Sequence, residues 1–234
     1  MKAQRLRFQY RVTSAAGSLS NRDLVAAWET AVRGAGFALA YSEGKRASPQ
    51  VALAAPLPLG VTSDCELADI YLERPADPIA LLAALGAHLP PGIEPVWVVE
   101  LGVDGPSLQS QLRRAEYEAA LPGGASSADL RRRVEDILAA DTLPSEYVRT
   151  NKVKAYDLRP LILSIEVFAD RDPVVIRMRL RSEQENTARA DQVLLALGIG
   201  GEAQIHRTRL ELDDVSPVLE SFRRAGEPTG RDLT

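Results

Sequence analysis

The residues best suited to hold a ligand lie in one short run, Ser42-Glu43-Gly44-Lys45-Arg46-Ala47-Ser48-Pro49. Gly44 admits a backbone turn closed to other residues, and Lys45 and Arg46 put two cations at its tip. Backbone N–H groups beside cations suit a phosphate. The spacing matches no phosphate-binding motif such as the P-loop, and a solvated surface loop is the plainer account of the same residues.

Arginines supply a second constellation. Arg177, Arg179 and Arg181 share one parity of VVIRMRLRS, opposite Ile176, Met178 and Leu180. Arg207 and Arg209 alternate in the same way near the C-terminus, and Arg5, Arg7 and Arg11 near the N-terminus. If those faces join, one side of a sheet carries an arginine field able to follow a nucleic-acid backbone. The competing account pairs them across strands with Glu166, Glu202 and Glu211. Aromatic residues make up only 5% of the chain, and no run resembles the aromatic strands of an RRM, so base stacking on an open sheet is not expected. Arg131-Arg132-Arg133, followed by Glu135 and Asp136, reads as a solvated helix face. Asp157 and Arg159 read either as a local ion pair on a strand edge or as a site contact.

Catalytic and metal signatures are missing from the sequence. The one cysteine, Cys65, builds no disulfide, iron–sulfur cluster or cysteine-based zinc site within the chain. The two histidines, His88 and His206, have no second ligand nearby in sequence. No G-x-S-x-G, H-E-x-x-H or dinucleotide fingerprint occurs. The expectation is no metal, no cofactor and no catalytic set.

The elements that position these residues follow from periodicity. Leu6, Phe8, Tyr10 and Val12 alternate with Arg5, Arg7, Gln9 and Arg11, the period of a half-buried strand. Ser20 to Gly34 reads as a helix with a Ser20/Asp23 capping box. Leu24, Trp28, Ala31 and Val32 form its apolar stripe. Strands follow over 50–55 and 66–73, with Pro56-Leu57-Pro58-Leu59-Gly60 as a strand terminator between them. A helix over 78–89 and a strand over 93–101 complete the order strand, helix, strand, strand, helix, strand. That is the ferredoxin-like order. The order recurs downstream. It has a strand at 116–121 and a helix at 127–139 capped by Ser126 or Ser127. Then come strand-like runs at 148–154 and 158–168, read as one long or one broken strand, a strand at 174–181, a helix at 187–197 and a strand at 204–212. The expected fold is α+β, two tandem ferredoxin-like (βαββαβ) halves with antiparallel sheets. The first half spans 1–106, a linker 107–114, the second half 115–222 and a flexible tail 223–234.

Composition sets the frame. The chain has 234 residues, 45% hydrophobic and 26% charged, which suits one large globular domain or two small ones. A net charge of -4 argues against coating nucleic acid by bulk charge, though not against a local basic patch. No apolar run approaches membrane-spanning length and the first residues lack a signal-peptide core, so a cytoplasmic location without membrane contact is expected.

Several motifs resemble a known family, the bacterial radical SAM-linked domain of unknown function. They are Leu19-Ser20, Asp23-Leu24, Ala40-Tyr41-Ser42-Glu43-Gly44, Pro49 and Ala55-Pro56-Leu57-Pro58-Leu59-Gly60-Val61, with weaker echoes through Asp157-Leu158-Arg159-Pro160-Leu161-Ile162. That domain is found fused to, or encoded beside, B12-binding radical SAM proteins, often near an RNase E/G-type ribonuclease gene. The family carries histidines where this chain has Asn21 and Ser48, which retain hydrogen bonding but not acid–base chemistry. The resemblance implies a radical SAM protein as partner and assigns the radical chemistry to that partner. The resulting expectation is a non-catalytic accessory protein that binds RNA or presents a substrate. Its ligand loop comprises Tyr41, Ser42, Gly44, Ser48 and Asn21. Its nucleic-acid contacts comprise Lys45, Arg46, Arg177, Arg179, Arg181, Arg207 and Arg209. The alternatives are a protein-interaction module without nucleic acid, and an endoribonuclease by analogy with the CRISPR repeat-processing enzymes.

Overall fold

The computed structural model describes residues 1–121, 127–149, 152–184, 186–201 and 203–213. The chain is α+β, with five helices and a large, mostly antiparallel sheet among the described residues. The first six main elements are β1 (Gln4–Val12), α1 (Asn21–Gly34), β2 (Val51–Leu53), β3 (Thr62–Leu72), α2 (Pro78–Leu85) and β4 (Ile93–Leu101). A short α3 (Leu108–Gln111) leads into β5 (Leu112–Ala120) and α4 (Ser127–Ala139). A separate hairpin, β6 (Pro144–Arg149) and β7 (Lys152–Asp157), precedes β8 (Ile162–Phe168), β9 (Val175–Arg181), α5 (Ala190–Ala196) and β10 (Gln204–Leu212).

Local chemistry accounts for most boundaries. Ser20 Oγ accepts from the Asp23 N–H while Asp23 accepts from the Ser20 N–H, so α1 begins with a complete capping box. The Ser20 bonds hold the Asp23 carboxyl below its ordinary range. Asp77 caps α2, and Pro78 occupies its first turn, where no N–H is needed. Leu24, Trp28, Ala31 and Val32 of α1 pack with Leu6, Phe8 and Tyr10 of β1 in a first core that also takes Leu81 and Leu85 of α2. The second core joins Leu130, Val134 and Ile137 of α4 and Val193 and Leu194 of α5 to Ala115, Tyr117, Ile176 and Met178.

The strands run β4-β1-β3-β10-β5-β9-β8, with β2 also on β3. β1 lies along one edge of β3 over nearly its whole length. The other edge is divided. β2 pairs antiparallel with Ala68–Ile70, and β10 pairs parallel with Thr62 and Ser63. This division is the work of Pro56-Leu57-Pro58-Leu59-Gly60. The Ala54 N–H still bonds Leu67, but Pro56 and Pro58 have no N–H to continue the ladder, and Gly60 turns the chain at φ 79°. The strand leaves β3, and β10 takes the vacated edge. One sheet therefore runs through both halves where the sequence suggests a sheet for each.

Other expectations gain detail. Residues 107–114 hold α3 and the start of β5. Of the two alternatives for the runs at 148–154 and 158–168, the break is found: β7 ends at Asp157, a 3-10 turn covers Arg159–Leu161, and β8 begins at Ile162. The last helix starts at Ala190, three residues later than its pattern suggests. Ser126 and the tail 223–234 lie outside the described residues.

Candidate functional site

Where the Pro56–Gly60 segment leaves the sheet, a cleft of about 1350 Å³ opens. One wall is Ala54–Val61 with Ser20 and Asn21 at the start of α1. The facing wall carries Ser182, Glu183, Thr187 and Arg189, then Asp191, Leu194 and Leu195 of α5, and the turn at Ile199–Gly201. Tyr156, Asp157 and Pro160 close one side.

Arg207 holds the floor. It is 2% exposed and donates two bonds from Nη1 to the Glu66 carboxylate, at 2.9 and 3.0 Å. Its Nε donates to the Tyr117 hydroxyl at 3.1 Å, and its Nη2 to the Pro56 carbonyl at 3.0 Å. Burial opposes the charge on this guanidinium, but Glu66 more than compensates and holds its pKa above the ordinary arginine range. The side chain thus ties β10 to β3, β5 and the proline wall at once. Burial pushes the Tyr117 hydroxyl up, leaving it neutral beside the cation. Asp157, Arg189 and Asp191 of the walls are engaged as well. Asp157 Oδ1 accepts the N–H of Leu143 at 2.7 Å and of Arg159 at 3.0 Å. Asp191 receives two bonds from Arg189 at 3.0 and 2.8 Å. Such an arrangement binds by shape and fixed dipoles; Asp157 and Asp191 have structural partners, and Glu183 also lines the cleft.

The structure divides the ligand loop expected from sequence. Asn21 lines the cleft, whereas Tyr41, Ser42, Gly44 and Ser48 form a separate loop outside its lining. Ser42 and Ser48 close the base of that loop: their hydroxyls share a hydrogen bond at 3.0 Å, the Ser48 N–H donates to Ser42 Oγ at 2.9 Å, and the Ser42 N–H donates to the Ser48 carbonyl at 2.9 Å. Tyr41 donates to Glu29 of α1 at 2.6 Å, which raises the Tyr41 pKa. Gly44 has φ 117°, a conformation its neighbours would resist. Lys45 and Arg46 are exposed at the tip.

The arginines fare differently by position. Arg207 lies in the core where β10 meets β3 and β5, 2% exposed, with its guanidinium bonded to Glu66, Tyr117 and Pro56. Arg5 and Arg7, each 1% exposed, are buried in the same way. Arg5 and Arg7 share Asp69, with Arg5 Nη2 at 2.6 Å and Arg7 Nε at 2.7 Å, and Arg5 also donates to the carbonyls of Gly105 and Pro106. Arg177, Arg179, Arg181 and Arg209 do share the outer face of the sheet. Their neighbours are acidic: Arg177 bonds Glu118 at 2.8 Å and Arg179 bonds Glu211 at 2.8 Å. Arg114 reaches the same Glu211 at 3.1 Å. Burial works to raise the Glu211 pKa, but the bonds from Arg179 and Arg114 outweigh it and lower it. The face is a mosaic of both signs. Of the helix triplet, Arg132 pairs with Asp129, and Arg133 caps α5 by donating to the Leu197 carbonyl at 2.8 Å.

His206 bridges β10 to β3, with Nδ1 2.8 Å from Thr62 Oγ1 and Nε2 3.1 Å from Asp64 Oδ2. Cys65 Sγ lies 3.5 Å from the Arg207 carbonyl, and burial pushes its thiol up to about 12. Sequence reasoning missed the cleft because its lining comes from segments far apart in the chain. The local signal was present in Pro56–Gly60, read only as a terminator.

No curated protein matches the chain. Among solved structures, a chain of the Cbf5-Nop10-Gar1 complex is similar over 87% of this chain and 49% of its own, at 13% identity and a TM-score of 0.44. This chain therefore spans about half the length of that one, and at that score the likeness carries neither fold nor function. Residues 5–190 match a bacterial family described as "Uncharacterized protein conserved in bacteria (DUF2344)", a span that includes the cleft's proline wall, the cation loop and most of both cores. The chain belongs to that family.

Proposed function

We propose that this chain is a non-catalytic accessory protein of a radical SAM system, built from two ferredoxin-like halves, that holds a substrate or partner in the cleft between them. The observation that carries the reading is the cleft itself, whose wall is the Pro56–Gly60 motif and whose arginines are spent on structural bonds. Strand orders β4-β1-β3-β2 and β10-β5-β9-β8 support the ferredoxin-like description of each half. The radical SAM link rests on the motif resemblance. Co-expression of the tagged chain with the radical SAM protein of its own genome, followed by nuclease treatment and affinity capture, tests it. The expected result is a nuclease-resistant complex; recovery of the tagged chain alone would remove the link.

RNA binding is a second reading, favoured by Lys45 and Arg46, which stand exposed on a loop whose base is tied by its own serines. It predicts salt-sensitive binding of tRNA or rRNA fragments in fluorescence polarisation. Lys45→Ala/Arg46→Ala would weaken that binding about tenfold, in line with the loss of two phosphate contacts. Binding indifferent to salt and to those substitutions would sink it.

A further inference from the structure

The cleft's chemistry narrows what it can hold. Leu59 is 64% exposed and Leu195 63% exposed, and both line the cleft from opposite walls. Large apolar side chains left this open are commonly found at protein-binding sites. Behind them, Ala54, Ala55 and Leu57 give the proline wall an apolar surface.

Charge makes a second selection. The acids among the described lining residues are Asp157, Glu183 and Asp191, and the bases are Arg189 and Arg207. Arg207 is neutralised by Glu66, and Arg189 by Asp191. Among the described lining residues Asp157 and Glu183 have no cation paired with them, so those residues together carry a net negative charge. A phosphodiester strand would meet carboxylates there, which disfavours nucleic acid at this surface. Size makes the third selection: about 1350 Å³ exceeds the range of about 300–1000 Å³ usual for small-molecule sites.

We propose that the cleft is a docking groove for a segment of a partner protein in which apolar side chains alternate with lysine or arginine, the apolar ones seated between Leu59 and Leu195 and the basic ones facing Glu183 and Asp157. The proposal rests on the cleft being the binding site. It does not depend on the partner being a radical SAM protein, so failure of the co-purification above leaves it standing.

Selection of a random short-peptide display library on the immobilised full chain tests it, with parallel selections on Leu59→Ser/Leu195→Ser and on Glu183→Lys. Ile79→Ser, at an apolar residue 65% exposed outside the cleft lining, is the control. All four positions are at least partly solvent-exposed, and circular dichroism of each variant verifies the fold. The wild type and the Ile79 variant are expected to enrich peptides mixing apolar with basic residues. The double leucine variant should bind the best of them about tenfold more weakly, and Glu183→Lys should lose the basic preference. The proposal is overturned by enrichment of acidic peptides, by no enrichment, or by affinities that the leucine substitutions leave unchanged. Competition for the groove by a short oligouridylate would likewise overturn it in favour of nucleic acid.

Discussion

At the scale of single residues, the arginines show how one side chain takes opposite roles by address. Arg207 and Arg177 sit at outwardly similar positions in alternating strands, yet one is buried against Glu66 and the other half-exposed beside Glu118. Because the Arg207–Glu66 pair is 2% exposed on both sides, removing one member strands a charge. Glu66→Ala is expected to cost about 3–5 kcal/mol in urea unfolding. Replacing both residues with apolar ones of similar volume should recover most of that loss. Cys65 offers a second measurement at this scale. With its thiol pushed up to about 12, it carries almost no thiolate at neutral pH. A disulfide reagent at neutral pH should leave it unmodified in the folded chain and titrate one thiol in denaturant; rapid modification of the native protein would contradict that environment. The pairing of Ser20 with Asp23 was legible in sequence because its partners are three residues apart. The pairing of Arg207 with Glu66 was not, because 141 residues separate them.

Among the elements, helix α1 and the segment after β2 decide most. α1 depends on its capping box, and Ser20→Ala is expected to lower stability by about 1 kcal/mol, read from the shift in urea midpoint at constant slope. Ser20 also lines the cleft, so its loss weakens the helix at the point where Asn21 is presented. Boundaries marked by local chemistry were readable. α4 begins and ends where its pattern suggests, as do β4 and β10. The hairpin β6–β7 was not, since its strands pair only with each other and give no core periodicity. Gly60 is required by its positive φ, and Gly60→Ala should cost about 1 kcal/mol or more by straining the turn that steers the chain away from β3. The edge strand β4 carries Pro95 beside a register shift, a device that blunts an open edge.

Taken whole, the molecule is held together by contacts that cross between its halves. The parallel pairing of β3 with β10, the Arg207 hub, and His206 bonding Thr62 and Asp64 all join segments from both sides of residues 107–114. The halves are therefore expected to unfold together. Tryptophan fluorescence, which reports on Trp28 and Trp97 in the first half, and far-UV circular dichroism, which reports on both, should give coincident urea curves. Two resolved transitions would show that the halves are independent. The sequence by itself determined most of the elements and their order, the α1 capping box, the shortage of catalytic and metal-binding residue types, and the cation loop. Each of these follows from residues within a few positions of one another, where periodicity, caps and turn residues act. Only the tertiary structure decided that one sheet spans both halves, that Arg5, Arg7 and Arg207 lie inside it, and that Pro56–Gly60 walls a cleft. Those outcomes depend on which strand takes the free edge of β3, a choice made by contacts between residues remote in the chain.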